Sequence, residues 1–316
     1  MRVLVTGADG FVGRHLIGRL VEAGHAVTAA CRPGTEPATW FRSGWKGLVH
    51  VTPFELSDSD SVRAAVGLPH EAVVHLAAVA TVREARADPG RAWLVNAAGT
   101  ARLVDAMLAR RDTDGLDPVL LVISTCEVYG NGPPSPRVET DSPRPQSPYA
   151  ASKLGAEVAG LEAWRRAGLR VIVARPFTHT GPGQRPPYVV PSFVERLLAA
   201  KRTASTEVAT GNLEPVRDLL DVRDVVEAYL GLLRGGEPGE TYNIARGEGI
   251  SLRELFRRVA KLVGVEAEPV PDPALVRTGD IPYLVGDARK LQRATGWSPT
   301  ITLEQTLQEM VDAQAH

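Results

Sequence analysis

At 316 residues, with 44% hydrophobic and 23% charged side chains, the chain has material for one large or two modest cores and an ordinary globular composition, which excludes extended disorder and coiled coil. A formal net charge of -1 excludes a global basic field for nucleic acid or an anionic membrane, so an acidic ligand must be met by local groups. No apolar run nears the roughly 20 residues that span a bilayer, no leader-like stretch precedes the first strand pattern, and Cys31 and Cys126 lack metal-ligand spacing; the expectation is a cytoplasmic protein without a disulfide framework, a zinc site or a membrane partner.

Arg2 to Thr6 read as a short buried strand. Gly7, Gly10 and Gly13 follow in a G-x-x-G-x-x-G spacing that opens an amphipathic helix, with Leu16, Ile17, Leu20 and Val21 at helical spacing from His15 to Ala23 and Gly24 as its C-terminal cap. Such a turn lets the backbone approach a pyrophosphate, whose charge is favoured by the free N–H groups and positive dipole end of the helix. The predicted ligand is a dinucleotide, held by Gly7, Gly10, Phe11, Val12 and Gly13. A second strand, Ala26 to Ala30, ends at Cys31-Arg32. NAD sites of this kind usually place an acid there for the ribose hydroxyls. With Cys31 in that place and Arg32 adjacent, a 2′-phosphate is accommodated, and the reading leans to NADP(H), with NAD(H) as the alternative.

Leu48 to Val51 predict a third strand, followed by Glu55 and Leu56 where such folds contact adenine. Ala72 to His75 predict a fourth, and Leu76, Ala77 and Ala78 beyond it let a cofactor lie against the backbone. His75, alone at a strand end, reads as structural. Arg91 to Arg110 predict one long helix with Leu94, Ala98, Ala101, Leu103 and Val104 on its apolar side. Pro118 to Ile123 predict a fifth strand, apolar throughout, as a parallel strand covered on both faces should be. Strands and helices alternating in this way describe an α/β fold with a doubly wound parallel sheet.

At the carboxyl end of the fifth strand, where open α/β sheets bind ligands, lies Ser124-Thr125-Cys126-Glu127. A Pro-rich loop then leads to Tyr149-Ala150-Ala151-Ser152-Lys153, opening a helix that runs to about Ala167. Tyrosine and lysine four residues apart share a helix face. A phenol with a reference pKa of about 10 is a poor acid or base at neutral pH, and a nearby ammonium is expected to lower it. Tyr149 then exchanges a proton with a substrate oxygen while a nicotinamide exchanges hydride at the attached carbon, and Thr125 bonds the same oxygen.

Together, Thr6-Gly7-x-x-Gly10-Phe11-x-Gly13, His75-Leu76-Ala77-Ala78, Thr125 with Tyr149 and Lys153, and Arg175-Pro176-Phe177 resemble the extended short-chain dehydrogenase/reductases that modify nucleotide sugars. The resemblance covers nearly the whole chain. It implies a Rossmann domain over 1–175, with 218–245 packing back onto it, and a smaller mixed α/β domain, mainly 176–316, for the nucleotide sugar. Through Arg175 to Gln184, Gly211 to Glu214, Arg217-Asp218, Asp221 to Val225 and Arg277 to Asp280, the chain is similar to GDP-4-keto-6-deoxy-mannose reductases.

That similarity implies an NAD(P)H-dependent C4 ketoreductase whose substrate is GDP-linked. Arg217 would meet the diphosphate, Arg277 and Asp280 the nucleoside, and Thr81, Thr178 and His179 the sugar pocket. Lys153 and Phe177 would lie at the coenzyme. The helices Arg91 to Arg110 and Tyr149 to Ala167 would pair with a second subunit as a homodimer. Thr178 stands where an asparagine is usual, Ala80 where a serine is common, and Cys31 where the acid is usual. Glu127 leaves a second reading open. A 4,6-dehydratase needs a base at C5 and an acid at C6, and Thr125-Cys126-Glu127 resembles that arrangement, although a thiol donates a proton only inefficiently. Some GDP-mannose dehydratases lack that acid as well, but the reductases resemble the chain at Glu127 too and match better in the downstream segments, so the reductase stands ahead of GDP-mannose 4,6-dehydratase or another nucleotide-sugar epimerase/dehydratase. A non-catalytic dinucleotide-binding redox sensor would have no need of Thr125, Tyr149 and Lys153 together.

Overall fold

The apolar, β-branched runs of the first half become parallel strands because helices cover them on both faces. A computed structural model describes residues 1–36, 40–276 and 279–315. In chain order the first half carries β1 (Arg2–Thr6), α1 (Phe11–Glu22), β2 (Ala26–Cys31), β3 (Val49–Pro53), α2 (Ser59–Val66), β4 (Ala72–His75), α3 (Val82–Ala87), α4 (Pro89–Ala92), α5 (Gly99–Asp114), β5 (Val119–Ile123), α6 (Pro148–Ala167) and β6 (Val171–Pro176). The second half carries β7 (Thr178–Thr180), α7 (Val189–Thr203), β8 (Glu207–Thr210), β9 (Val216–Asp221), α8 (Val222–Gly235), β10 (Thr241–Ile244), β11 (Gly249–Ser251), α9 (Leu252–Val263), β12 (Glu268–Pro271), β13 (Tyr283–Leu284), α10 (Arg289–Thr295) and α11 (Leu303–Ala315).

Seven strands form one parallel sheet in the order β10-β6-β5-β4-β1-β2-β3. The order reverses between β1 and β4, which opens a crevice at the carboxyl ends of these two strands. β10 returns from the second half to pair with β6, Tyr242 opposite Ala174. The core under one face of the sheet joins Val3, Val5 and Leu121 to Val225, Tyr229 and Leu232 of α8, and further on to Leu291 and Trp297. The first body therefore takes in α8, β10 and α10. A second core, with Phe193, Leu197, Phe256, Val259 and Leu307, unites α7, α9 and α11 beside a small sheet in which β9 is flanked by β11, β13 and β7. Ser251 caps α9, its hydroxyl accepting from the Glu254 amide at 3.1 Å.

One predicted element divides. The single helix expected over Arg91 to Arg110 is α4, a widened π-helical turn over Trp93–Ala98, and α5. The wide turn rotates the following face, so Leu94 and Ala101, expected on the apolar side, are exposed. The buried side is Ala92, Asn96, Thr100, Leu103, Val104 and Met107.

Candidate active site

The glycine loop shows why each glycine is there. Gly7 has φ +67°, and a Cβ on it would lie 2.8 Å from the Ala77 amide nitrogen. A Cβ on Gly13 would meet the Gly7 carbonyl at 2.4 Å, so this glycine packs helix on loop. Gly10 is exposed at the N-cap of α1 with no side-chain cap and no acidic residue in the first turn. The positive end of α1, with Phe11 and Val12 half-buried beside it, is therefore open to an anion. Across the crevice Thr6 and His75 lock the loop to β4. The Thr100 hydroxyl donates to the Asn96 carbonyl at 2.6 Å, so His75 donates from Nε2 to Thr100 at 3.1 Å and accepts at Nδ1 from the Thr6 hydroxyl at 2.8 Å. Thr6 in turn accepts from the Ala77 amide at 3.1 Å. Burial holds His75 neutral, its pKa down at about 3, which makes it the structural histidine read from the sequence.

At the tip of β5, Thr125 is buried and accepts from the Glu127 amide at 3.3 Å, and its hydroxyl acts on the Tyr149 phenol. Glu127, half-buried in the next turn, presents its charge to both Tyr149 and Cys126. Lys153 lies buried one turn along α6 from Tyr149. The start of α6 is held by residues the sequence reading passed over. Asn96, in the π-helical turn, accepts from the Val79 amide at 2.8 Å and donates to the Val79 carbonyl at 3.1 Å and to Ser152 at 2.9 Å. Ser152 donates to the Tyr149 carbonyl at 2.9 Å. Below the site, Glu157 accepts from Ser124 and takes Arg175 in a bidentate buried ion pair at 2.9 and 2.6 Å. Arg175 also lies 4.9 Å over the Tyr129 ring. A polar residue inside a buried helix face was the available signal for both Asn96 and Glu157.

The profile of the GDP-mannose 4,6 dehydratase family matches residues 4–310. The chain belongs to this family. It is 36% identical to the GDP-6-deoxy-D-mannose reductase of Pseudomonas aeruginosa, across 98% of this chain and 96% of the relative. Its fold is similar to the structure of RMD from P. aeruginosa complexed with NADPH, with TM-score 0.83, 34% identity, and 99% and 98% of the two chains covered. It is also similar to a Thermus thermophilus UDP-glucose 4-epimerase in complex with NAD, at TM-score 0.85 and 32% identity, covering 99% and 98%. The chain is thus a nucleotide-sugar enzyme of the extended short-chain dehydrogenase/reductase type, with the Rossmann fold expected from its sequence.

Within this family frame several expectations change. The Tyr149 phenol stands above its usual range, where a lowered one was expected, because burial and then the Glu127 charge push it up. Lys153 itself is brought down to about 8 by burial, opposed by Glu157. Phe177, expected at the coenzyme, has its ring in the core. Its ring is 1% exposed, stacked 6.4 Å from Tyr129, and a Cβ on Gly286 would touch it. Leu56 is likewise buried, against Gly99. Glu55 sits at the edge, its carboxylate accepting from the Ser57 amide and hydroxyl at 3.0 and 2.9 Å. The Thr81 hydroxyl caps α3, donating to the Glu84 carboxylate at 2.9 Å and accepting from the Glu84 amide at 3.1 Å, so its single proton is already committed.

On the substrate side, Thr178 and His179 lie half-buried on β7, with His179 bonded through Nδ1 to the Phe177 carbonyl at 2.9 Å. Arg217 sits on β9, donating to the Val216 and Ile281 carbonyls at 2.9 and 2.7 Å, and its charge reaches Cys126. Asp280 is half-buried just before β13, and Arg277 lies outside the described residues. Tyr188, exposed at the N-cap of α7, adds to the upward push on Tyr149, and Glu84 to that on Tyr188. Neither was singled out in the sequence. Arg32 is exposed beyond the tip of β2, and Leu76, Ala77 and Ala78 line the crevice half-buried.

Proposed function

We propose that the chain reduces the C4 ketone of GDP-4-keto-6-deoxy-D-mannose to GDP-D-rhamnose, with NADPH as the favoured hydride donor and NADH as a second one. The observation that carries this reading is the gathering of Thr125, Glu127 and Tyr149 at the tip of β5, one helical turn from Lys153 and beside the open glycine loop. That loop fits a dinucleotide: the uncapped end of α1 would hold the pyrophosphate through Gly10, Phe11, Val12 and Gly13, and Arg32 would meet a 2′-phosphate. A reduced nicotinamide, when bound, supplies hydride to the ketone carbon.

The chain's own residues supply the proton. Burial and the Glu127 charge keep the Tyr149 phenol protonated, so it is an acid in the resting site. It gives its proton to the C4 oxygen as the alcohol forms, the phenolate is reprotonated from solvent, and Thr125 orients the same oxygen. Lys153, with a pKa of about 8, is mostly charged at neutral pH and favours the transient phenolate. Arg217, Asp280, Thr178 and His179 stand on the side of the crevice assigned to the nucleotide sugar. Related dehydratases often carry an acid at position 126. Cys126 is 4% exposed, and its thiol is pushed up by burial and by Glu127, which makes it a poor proton donor. This favours the reductase.

The exposed Trp93, Leu94 and Val158, on adjoining turns of the α5 and α6 face, support a homodimer through these helices. No helix among the described residues is long and apolar enough to cross a membrane, and both cysteines are buried and unpaired, which supports a cytoplasmic enzyme. The deciding experiment supplies GDP-4-keto-6-deoxy-D-mannose or GDP-mannose, each with NADPH, and identifies the products. The expected result is oxidation of NADPH with formation of GDP-D-rhamnose from the keto sugar only. Conversion of GDP-mannose to the keto sugar without consumption of NADPH would overturn the assignment.

A further inference from the structure

The tip of β2 has no acid of its own, yet a carboxylate stands there. The Ala8 amide donates to the Ala30 carbonyl at 3.3 Å, which straps the glycine loop to the last residues of β2 and carries Asp9 over Cys31. The Asp9 charge, after burial, helps push the Cys31 thiol up to about 12. Three segments hold the residue in place. Thr35, beyond β2, donates its hydroxyl to Asp9 Oδ2 at 3.3 Å, Arg14 donates Nε to the Asp9 carbonyl at 2.7 Å, and the loop itself is packed between Gly7 and Gly13. Asp9 is half-buried, while Arg14 and Arg32 are exposed beside it. The place where this fold normally presents an acid to the adenosine ribose is thus filled from the glycine loop instead of from the strand.

We propose that Asp9 reads the adenosine ribose: its carboxylate accepts the 2′-hydroxyl of NAD(H) and opposes the 2′-phosphate of NADP(H), against the pull of Arg32. A carboxylate accepting from a hydroxyl makes a charge-assisted hydrogen bond. The same carboxylate beside a phosphate places like charges together, which selects against that ligand. With both signs of charge at one strand tip, neither coenzyme is shut out, and Asp9 keeps the preference for the phosphorylated one small. The inference rests on the dinucleotide reading of the glycine loop and is independent of the sugar substrate.

Direct binding tests it without turnover. NADPH and NADH are titrated separately into the full-length protein, with no sugar nucleotide present, and the ratio of their dissociation constants is read by nicotinamide fluorescence. Asp9→Asn is expected to shift the ratio toward NADPH by about tenfold or more, and Arg32→Ser to shift it toward NADH. Asp9→Ser provides a second neutral side chain should the asparagine variant fold poorly, and Asp9→Glu, which keeps the charge, should hold the wild-type ratio within about threefold. An unchanged ratio in both neutral variants, or a shift toward NADH, overturns the role of Asp9 while leaving the dinucleotide reading intact. A wild-type chain that binds neither coenzyme removes both.

Discussion

Tyr149 is held in its protonated form, as the acid proposed for the ketone oxygen must be. Its ring packs against Ala85 and Ala92 of the neighbouring helices, and burial and the charge of Glu127 discourage ionisation. Tyr149→Phe keeps the ring and its packing while removing the acid. Turnover of the keto sugar should fall by about 10² to 10⁴ fold, the range for a lost general acid, with NADPH affinity unchanged in a direct titration. Unchanged turnover would remove Tyr149 from its role. A Tyr-x-x-x-Lys pair on a strand-end helix was enough to find these residues in the sequence. The direction of the phenol's shift was not legible, because it depends on how far the fold buries Tyr149 and on the approach of Glu127 from another element.

The start of α6 is an element-scale problem, since a catalytic helix must be set against a strand tip it does not touch through its own backbone. The solution is the π-helical turn at Trp93–Ala98, which turns Asn96 inward to bridge Val79, after β4, and Ser152 of α6. Asn96→Ala would leave the buried Val79 amide and carbonyl without their partner. Loss of a partner for a buried polar group costs about 1–3 kcal/mol. Urea unfolding should show a lower midpoint by that amount, and catalytic turnover should fall with it as Tyr149 loses its anchored carbonyl. An unchanged midpoint would show that the bridge carries no stability. Sequence spacing read this region as one continuous helix, because a widened turn has no side-chain signature of its own. Asn96 and Thr100, polar residues on an otherwise apolar buried face, were the trace of it.

At the scale of the molecule, the long-range architecture followed from local signals where the chain repeats strand, turn and helix, as it does from Arg2 to Pro176. It was least legible where segments far apart in sequence complete one body, as when Leu291 and Trp297 join the core under β1 and β4. The same sheet carries two buried histidines whose protonation the fold resists. His70, bonded to Thr28 at 3.0 Å, is held down at about 4 by burial and by the charges of Arg2 and Arg110, and His75 at about 3 by burial and Lys153. An unfolded chain returns both to their ordinary value of about 6.5. Between that pH and the folded values, the unfolded state therefore binds up to two more protons than the native one, and stability falls as the pH is lowered through 6.5. The contribution of each is on the order of a few kcal/mol. Unfolding free energies measured by urea from pH 7.5 down to pH 5 should decline steeply in the wild type and less steeply in His70→Gln, which cannot take up the proton. Equal slopes in the two proteins would mean that His70 does not couple protonation to folding. The His75→Gln variant separates the two sites, because it breaks the Thr6–His75–Thr100 chain and should be less stable at every pH while showing a shallower acid slope.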